Sequence, residues 1–260
     1  MAAERRFAVP QALAGLERYH RAAITGLFIP DAPAAAPDPA LRFVFLCFTN
    51  RCGSNYLAEL LASTGALNRA EEVFNGETIA EHVRAQRLPS FPAYVEFLCK
   101  RLAQGGIFFS KLGLEQLLML TETGLLDQIG DRARFLLVER QDKLAQAISL
   151  LVAIQTQQWT SRHSRRMGDE ALVYDRRILV EQQALIAQQN FGFYRFFASN
   201  GITPKHIAYE QVEAAPEAMV AEIGDWLGLP GLRADLAALP IARQESPIKA
   251  AWRARYETGE

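Results

Sequence analysis

Residues 43–65, FVFLCFTNRCGSNYLAELLASTG, constrain the fold more than any other stretch of the chain. FVFLCF is a short, unbroken apolar run, the pattern of a strand buried on both faces. A polar loop follows. Then Leu57, Leu60, Leu61 and Thr64 recur at helical spacing until Gly65 stops them. A buried strand that runs through a short loop into a helix belongs to a mainly parallel α/β sheet. The loop then lies at the carboxyl edge, where ligands of open α/β sheets bind.

Three more stretches repeat the pattern. GIFFSKL (106–112), RFLLVER (134–140) and KHIAYEQV (205–212) read as strands. Between them, QDKLAQAISLLVAIQTQQW (141–159) carries a helical stripe of Leu144, Ile148, Leu151 and Gln155. A long helix is expected from about Asp175 to Ser199, kinked near Gly192, and further helices at 216–229 and from Ser246 onward. Strands separated by helices give the fold class: α/β, a mainly parallel central sheet flanked by helices, with P-loop-like architecture. Residues 1–40 read as an amphipathic helix over 1–30 followed by the Pro/Ala-rich connector DAPAAAPDPA, and residues 41–260 as one domain.

Composition excludes several classes. The 260 residues carry a formal net charge of -1, so no overall field favours nucleic acid or an anionic membrane. No run approaches the length of a membrane span, and the first twenty residues lack the apolar core of a signal peptide. Cys47, Cys52 and Cys99 form no metal-ligand spacing, and so low a count suits a reducing cytoplasm. No metal site is expected.

Any anion site must therefore be local, and the first loop can make one. A helix N-terminus offers unpaired N–H groups and the positive end of a dipole. TNRCGSN adds Gly53 for close backbone approach, hydroxyls from Thr49 and Ser54, and the charge of Arg51. It is neither a Walker A loop nor GxGxxG. Read alone, it is equally an ordinary strand–helix turn. VERQDKLAQAIS repeats the geometry, with Arg140 at a strand end and Ser149 on the helix after it. Two strand exits that each present Arg and Ser suit a ligand with two separated anionic groups, such as an adenosine 3′,5′-bisphosphate.

From about Phe43 to Tyr256 the chain resembles the trehalose 2-sulfotransferase family of bacterial sulfotransferases, which use 3′-phosphoadenosine-5′-phosphosulfate (PAPS) as donor. The pieces that carry the resemblance occur in the family's order: NRCGSNYLAELLASTGAL, NRAEEVF, SKLGLEQ, ERQDKLAQAISLLVAIQTQQW and ARQESPIKAAWRARYE. The resemblance implies that Arg51, Gly53, Ser54 and Asn55 line the 5′-phosphosulfate loop and that Arg140 and Ser149 hold the 3′-phosphate. It implies Glu72 as the general base, and a tail around Arg243 and Arg253 that closes over the donor. Asn55 stands for a family Thr, Cys52 for a Ser and Ala70 for a Pro. Gly113 and Leu114 stand for Met-Trp, which alters a wall expected to touch the acceptor.

The implied activity is sulfuryl transfer to a hydroxyl of a carbohydrate or glycolipid, without a metal and in a chain that can form a homodimer. Lys111, at the end of a strand, is placed to reach the transferred group or to face solvent. His82 and His163 are weaker candidates for the base. The basic run at 162–166 could cover an acceptor, and Trp159 could stack on a sugar or belong to the core. Cys52, beside Arg51 at a helix start, sits where thiol pKa values are usually lowered. A non-catalytic nucleotide-binding or scaffolding protein, and a nucleotide kinase with an atypical loop, are the competing readings.

Overall fold

The computed structural model describes residues 6–16, 18–30, 32, 36–160, 164–240 and 246–259. The apolar runs become strands: β1 (Arg42–Phe48), β2 (Ile107–Leu112), β3 (Ala133–Glu139) and β4 (Lys205–Ala208). They form one sheet in the order β2-β1-β3-β4, and every pairing is parallel.

Helices fill the connections. α1 (Tyr19–Ala23) precedes the sheet. α2 (Ser54–Ser63), α3 (Gly76–Gln86) and α4 (Phe91–Leu102) link β1 to β2; α5 (Leu114–Glu122) and α6 (Leu125–Ile129) link β2 to β3. α7 (Lys143–Thr156) and α8 (Arg176–Ser199) link β3 to β4, and α9 (Tyr209–Ala214), α10 (Pro216–Leu227) and α11 (Pro247–Thr258) follow.

Strand periodicity divides the core in two. Phe43, Phe45 and Cys47 of β1 enter one apolar cluster with α3, α4, α5, α6 and the end of α8. Val44, Leu46 and Phe48 enter the other, with α2 and α10. A third cluster joins α7 and the start of α8 to Trp252 of α11. Both faces of β1 are thus covered, which is why it reads as a continuous apolar run. The edge of β2 is also covered. Asn68 accepts from the Phe109 N–H at 3.0 Å and donates to the Phe109 carbonyl at 2.8 Å, and the Lys111 N–H donates to the Glu71 carbonyl at 3.0 Å.

The chain leaves β1 for β2 on one side, then crosses back over β1 to reach β3. The strand order therefore reverses between β1 and β3. At such a switch point the connections part to opposite sides and leave a crevice beyond the carboxyl ends.

Several elements differ from the sequence reading. The stretch expected as one amphipathic helix is instead a single turn at Gln11–Leu13 and the five-residue α1; Pro10, Gly15 and Gly26 interrupt it. Phe7, Leu13 and Ile24 of this region are buried in the first cluster. α7 stops at Thr156, where Gln157 takes φ 56°, so Trp159 lies beyond the helix. β4 stops at Ala208 because the chain turns into α9. α8 passes through Gly192 without a break, because that glycine makes room for a neighbour: a Cβ there would lie 2.3 Å from Leu114 Cδ2. Among the described residues no helix is long and apolar enough to cross a membrane.

Candidate functional site

A cleft of about 1630 Å³ opens at the switch point. Its floor is the β1–α2 loop. Arg51 and Gly53 both take left-handed backbone, φ 65° and 93°, and coil the chain tightly into α2. Gln146 of α7, fully buried, pins that loop: its Nε2 donates to Thr49 Oγ1 at 2.9 Å and to the Asn50 carbonyl at 2.8 Å. The Arg51 side chain then leaves its own loop. Its Nε donates to Ser149 Oγ on α7 at 3.0 Å, and its Nη1 donates to the Trp159 carbonyl. One guanidinium therefore connects the β1 exit to the helix that follows β3.

Arg140 leaves β3 beside it. The Arg140 guanidinium lies 5.3 Å from the centre of the Tyr209 ring, and its Nε is buried without a hydrogen bond among the described residues. Tyr209, first residue of α9, also covers Gly53: a Cβ on Gly53 would fall 2.0 Å from Tyr209 Cδ2. Glu210 accepts from the N–H groups of Gln141 and Asp142 and so fixes the turn after β3. Asp142 caps α7 by accepting from the Ala145 N–H at 2.9 Å, and Arg253 of α11 donates to its other oxygen. Burial works against the Asp142 carboxylate, but Arg253 and the Ala145 N–H outweigh it and hold its pKa below the usual value.

On the opposite wall Glu72, Lys111 and Asn55 form a second group. Lys111 is the buried partner, with a side chain 5% exposed against 40% for Glu72. Its Nζ donates to Glu72 Oε1 at 2.9 Å and to Asn55 Oδ1 at 2.6 Å, and sits 4.6 Å from the Phe48 ring centre. The covered edge of β2 brings Glu72 here, since the backbone pairing of Glu71 with Lys111 fixes the register.

Cations crowd the other side of the cleft. Burial, then the charge of Arg140, lowers the pKa of the Arg51 guanidinium. Lys249 on α11 lines the same cleft. Burial, then Arg51, Arg140 and Arg165, bring its pKa down to about 8. The Cys52 thiol is shifted the other way from the sequence expectation. It is fully buried, and burial pushes its pKa up more than the Ser54 and Thr49 contacts pull it down.

Among the residues singled out in the sequence, Arg51, Gly53, Ser54, Asn55, Glu72, Lys111, Arg140, Ser149, Trp159 and Arg253 all border this one cleft. Arg243 and His163 lie outside the described residues. Gly113 and Leu114 do not line the cleft, contrary to the expected acceptor wall. Leu114 is buried in the core against Gly192, and Gly113 starts α5, where its N–H donates to Gln116 Oε1 at 2.9 Å. His82 packs edge-on to Phe97 and beside Tyr94, away from the site. Sequence reasoning missed Gln146, Tyr209 and Lys249. Gln146, one turn into α7 among apolar residues, is the one whose position gave a signal. Among the described residues no group of three or more His, Cys, Asp or Glu could hold a metal ion.

Comparison with known proteins decides the family at this point. The family model described as Stf0 sulphotransferase matches residues 43–259. The chain belongs to the Stf0 sulphotransferase family. The match begins at β1 and runs to the end of α11, so every element that borders the cleft lies inside it. A relative named trehalose 2-sulfotransferase, from Mycobacterium tuberculosis (strain ATCC 35801 / TMC 107 / Erdman), is 33% identical over 102 residues. That match covers 39% of this chain and 38% of the relative's length.

Proposed function

We propose that this Stf0-family chain is a PAPS-dependent sulfotransferase that moves a sulfuryl group to a hydroxyl of a carbohydrate or glycolipid. The observation that carries the reading is the bond from Arg51 to Ser149. It draws the two strand exits into one cationic site at the switch point, with Arg140 alongside and its buried Nε free to take an acceptor. A nucleotide with phosphates at both 3′ and 5′ positions matches such a site. The name of the mycobacterial relative supports a sugar as acceptor.

In this scheme Arg140 and Ser149 hold the 3′-phosphate, and Arg51, Gly53, Ser54 and the N-terminus of α2 hold the 5′-phosphosulfate. Transfer is an in-line displacement, by analogy with phosphoryl transfer. The acceptor oxygen forms a bond to sulfur as the bond from sulfur to the bridging phosphate oxygen breaks. Adenosine 3′,5′-bisphosphate leaves with the electron pair. Glu72 takes the hydroxyl proton. Lys111 orients Glu72 through their 2.9 Å contact and places a buried positive charge beside the transferring group. Asn55 fixes the other side of the same ammonium.

Two measurements test this. Adenosine 3′,5′-bisphosphate at a hundred times Kd should stabilise the fold by about 2.7 kcal/mol, whereas ATP with magnesium should not. Labelled PAPS should transfer its sulfate to a member of a panel of hydroxylated sugars and glycolipids. Glu72→Gln should lower turnover by roughly 10²–10⁴-fold and keep bisphosphate binding. Full turnover in that variant would move the base elsewhere; stabilisation by ATP alone would reject the donor.

A further inference from the structure

The first turn of α11 enters the cleft, where Pro247, Lys249 and Ala250 form part of the wall. The helix is seated firmly from behind. Trp252 is 2% exposed in the cluster it shares with α7 and α8, and the Arg176 guanidinium lies 4.5 Å from the Tyr256 ring centre and donates to the Tyr256 carbonyl at 2.6 Å. Arg253 ties the same helix to the cap of α7. The position of Lys249 is thus set by a docked helix.

Charged groups from several elements face Lys249. Arg51 comes from the β1–α2 loop, Arg140 from the β3 exit, and Arg165 and Asp169 from the segment after α7. All three arginines oppose its charge. Asp169 favours it, but its carboxylate also accepts from Arg165 and, at 2.6 Å, from Ser246 Oγ. Lys249, Arg51 and Arg140, from separate parts of the chain, therefore line one partly buried place. We infer that Lys249 is a phosphate ligand, whose ammonium completes a cradle with Arg51 and Arg140 around the phosphates of the donor nucleotide. This rests on the nucleotide reading above and adds Lys249 to the α11 residues at the cleft.

The cradle makes binding proton-linked. In the absence of bound nucleotide, burial and the three arginines outweigh Asp169 and hold the Lys249 pKa near 8, against an ordinary 10.5. A bound dianion reverses the balance and favours the ammonium. Nucleotide binding should then take up about half a proton at pH 8, since about half of the Lys249 population is neutral there beforehand. Phosphate monoesters, with a second pKa of about 6, are already dianionic at that pH and contribute nothing.

The test is calorimetric titration of the full chain with adenosine 3′,5′-bisphosphate at pH 8.5, in buffers of different ionisation enthalpy. Net proton uptake is expected for the wild type. Lys249→Met should bind about ten- to a hundredfold more weakly and without uptake. Lys249→Arg should retain most of the affinity without uptake, because a guanidinium stays charged at this pH. A thermal melt without ligand checks that both variants are folded. Wild-type binding without uptake, or Lys249→Met binding within about twofold of wild type, overturns the Lys249 assignment and leaves the nucleotide reading standing. No bisphosphate binding by the wild type overturns both.

Discussion

Gly53→Ala tests how the cleft floor is built. The backbone at Gly53 has φ 93°, so any Cβ there carries left-handed strain of about 1–2 kcal/mol. The same Cβ would lie 2.0, 2.5 and 2.8 Å from Cδ2, Cε2 and Cγ of Tyr209. Turning the ring about its own axis cannot clear Cγ. Relief needs a change of χ1 or a backbone shift, and overpacking of this kind costs roughly 1–3 kcal/mol. Replacing glycine also stiffens the unfolded chain, which offsets about 0.4–1 kcal/mol. The net loss is about 3 kcal/mol, or roughly 6–12 °C in Tm for a domain of this size. The two causes separate in a double-mutant cycle followed by denaturant unfolding. Tyr209→Ala removes the obstacle but not the backbone strain, so the double variant should be more stable than the sum of the singles by about 1–3 kcal/mol. Additivity within about 0.5 kcal/mol would mean that the ring does not rest on Gly53, and the stacked arrangement of Gly53, Tyr209 and Arg140 would be wrong.

Other outcomes follow from the same structure. Leu114→Trp, which restores the aromatic residue expected at this position, should lower stability by about 1–3 kcal/mol, because Gly192 leaves space only for the leucine; an unchanged melt would contradict the packing. Lys111→Met should lower turnover in PAPS transfer assays without abolishing bisphosphate binding, since its ammonium donates to Glu72 and Asn55; selective loss of nucleotide affinity would place it in the donor site instead. Lys249 also marks the pH dependence of folding. Its native pKa, about 8, lies below its ordinary 10.5, so the unfolded chain binds more protons between these values and the Lys249 contribution to stability rises with pH there. The buried thiols of Cys47, Cys52 and Cys99 act in the opposite sense above pH 9, because burial raises their pKa values and the folded state keeps their protons. The difference in stability between wild type and Lys249→Met isolates the lysine: it should change between pH 8 and 10.5 and be flat below pH 7.

How much of this was legible in the sequence follows the range over which each signal acts. Burial on both faces of a parallel strand is written into consecutive residues, so FVFLCF announced β1 without knowledge of its neighbours, and RFLLVER announced β3. Fold class follows from those runs and the helices between them. The N-terminal region failed because amphipathic spacing alone cannot decide between one helix and two short turns when Pro10, Gly15 and Gly26 interrupt it. Gly192 misled for a related reason. A glycine inside a helix looks like a break, yet here it admits Leu114, a residue distant in sequence, and the helix stays continuous.

The site shows the same division. Arg51, Gly53 and Ser54 were readable because the strand, the turn and the helix start that use them are contiguous. Arg140 and Ser149 were readable for the same reason. That the two exits face one ligand was an expectation of the sequence; the direct bond from Arg51 to Ser149 was not, since it depends on β1 and β3 being sheet neighbours, and the strand order that makes them so is set by crossovers, not by either motif. Tyr209 and Lys249 had no local signature at all. A tyrosine after a short strand and a lysine in the first turn of a helix are common surface residues until the fold sets one on Gly53 and the other beside two arginines. The chemistry of the cleft therefore depends on strand order as much as on residue type. The same loop sequences on strands that were not adjacent would keep each strand–loop–helix turn but would separate Arg51 from Ser149 and Arg140, and the cluster of cations at the cleft would be lost.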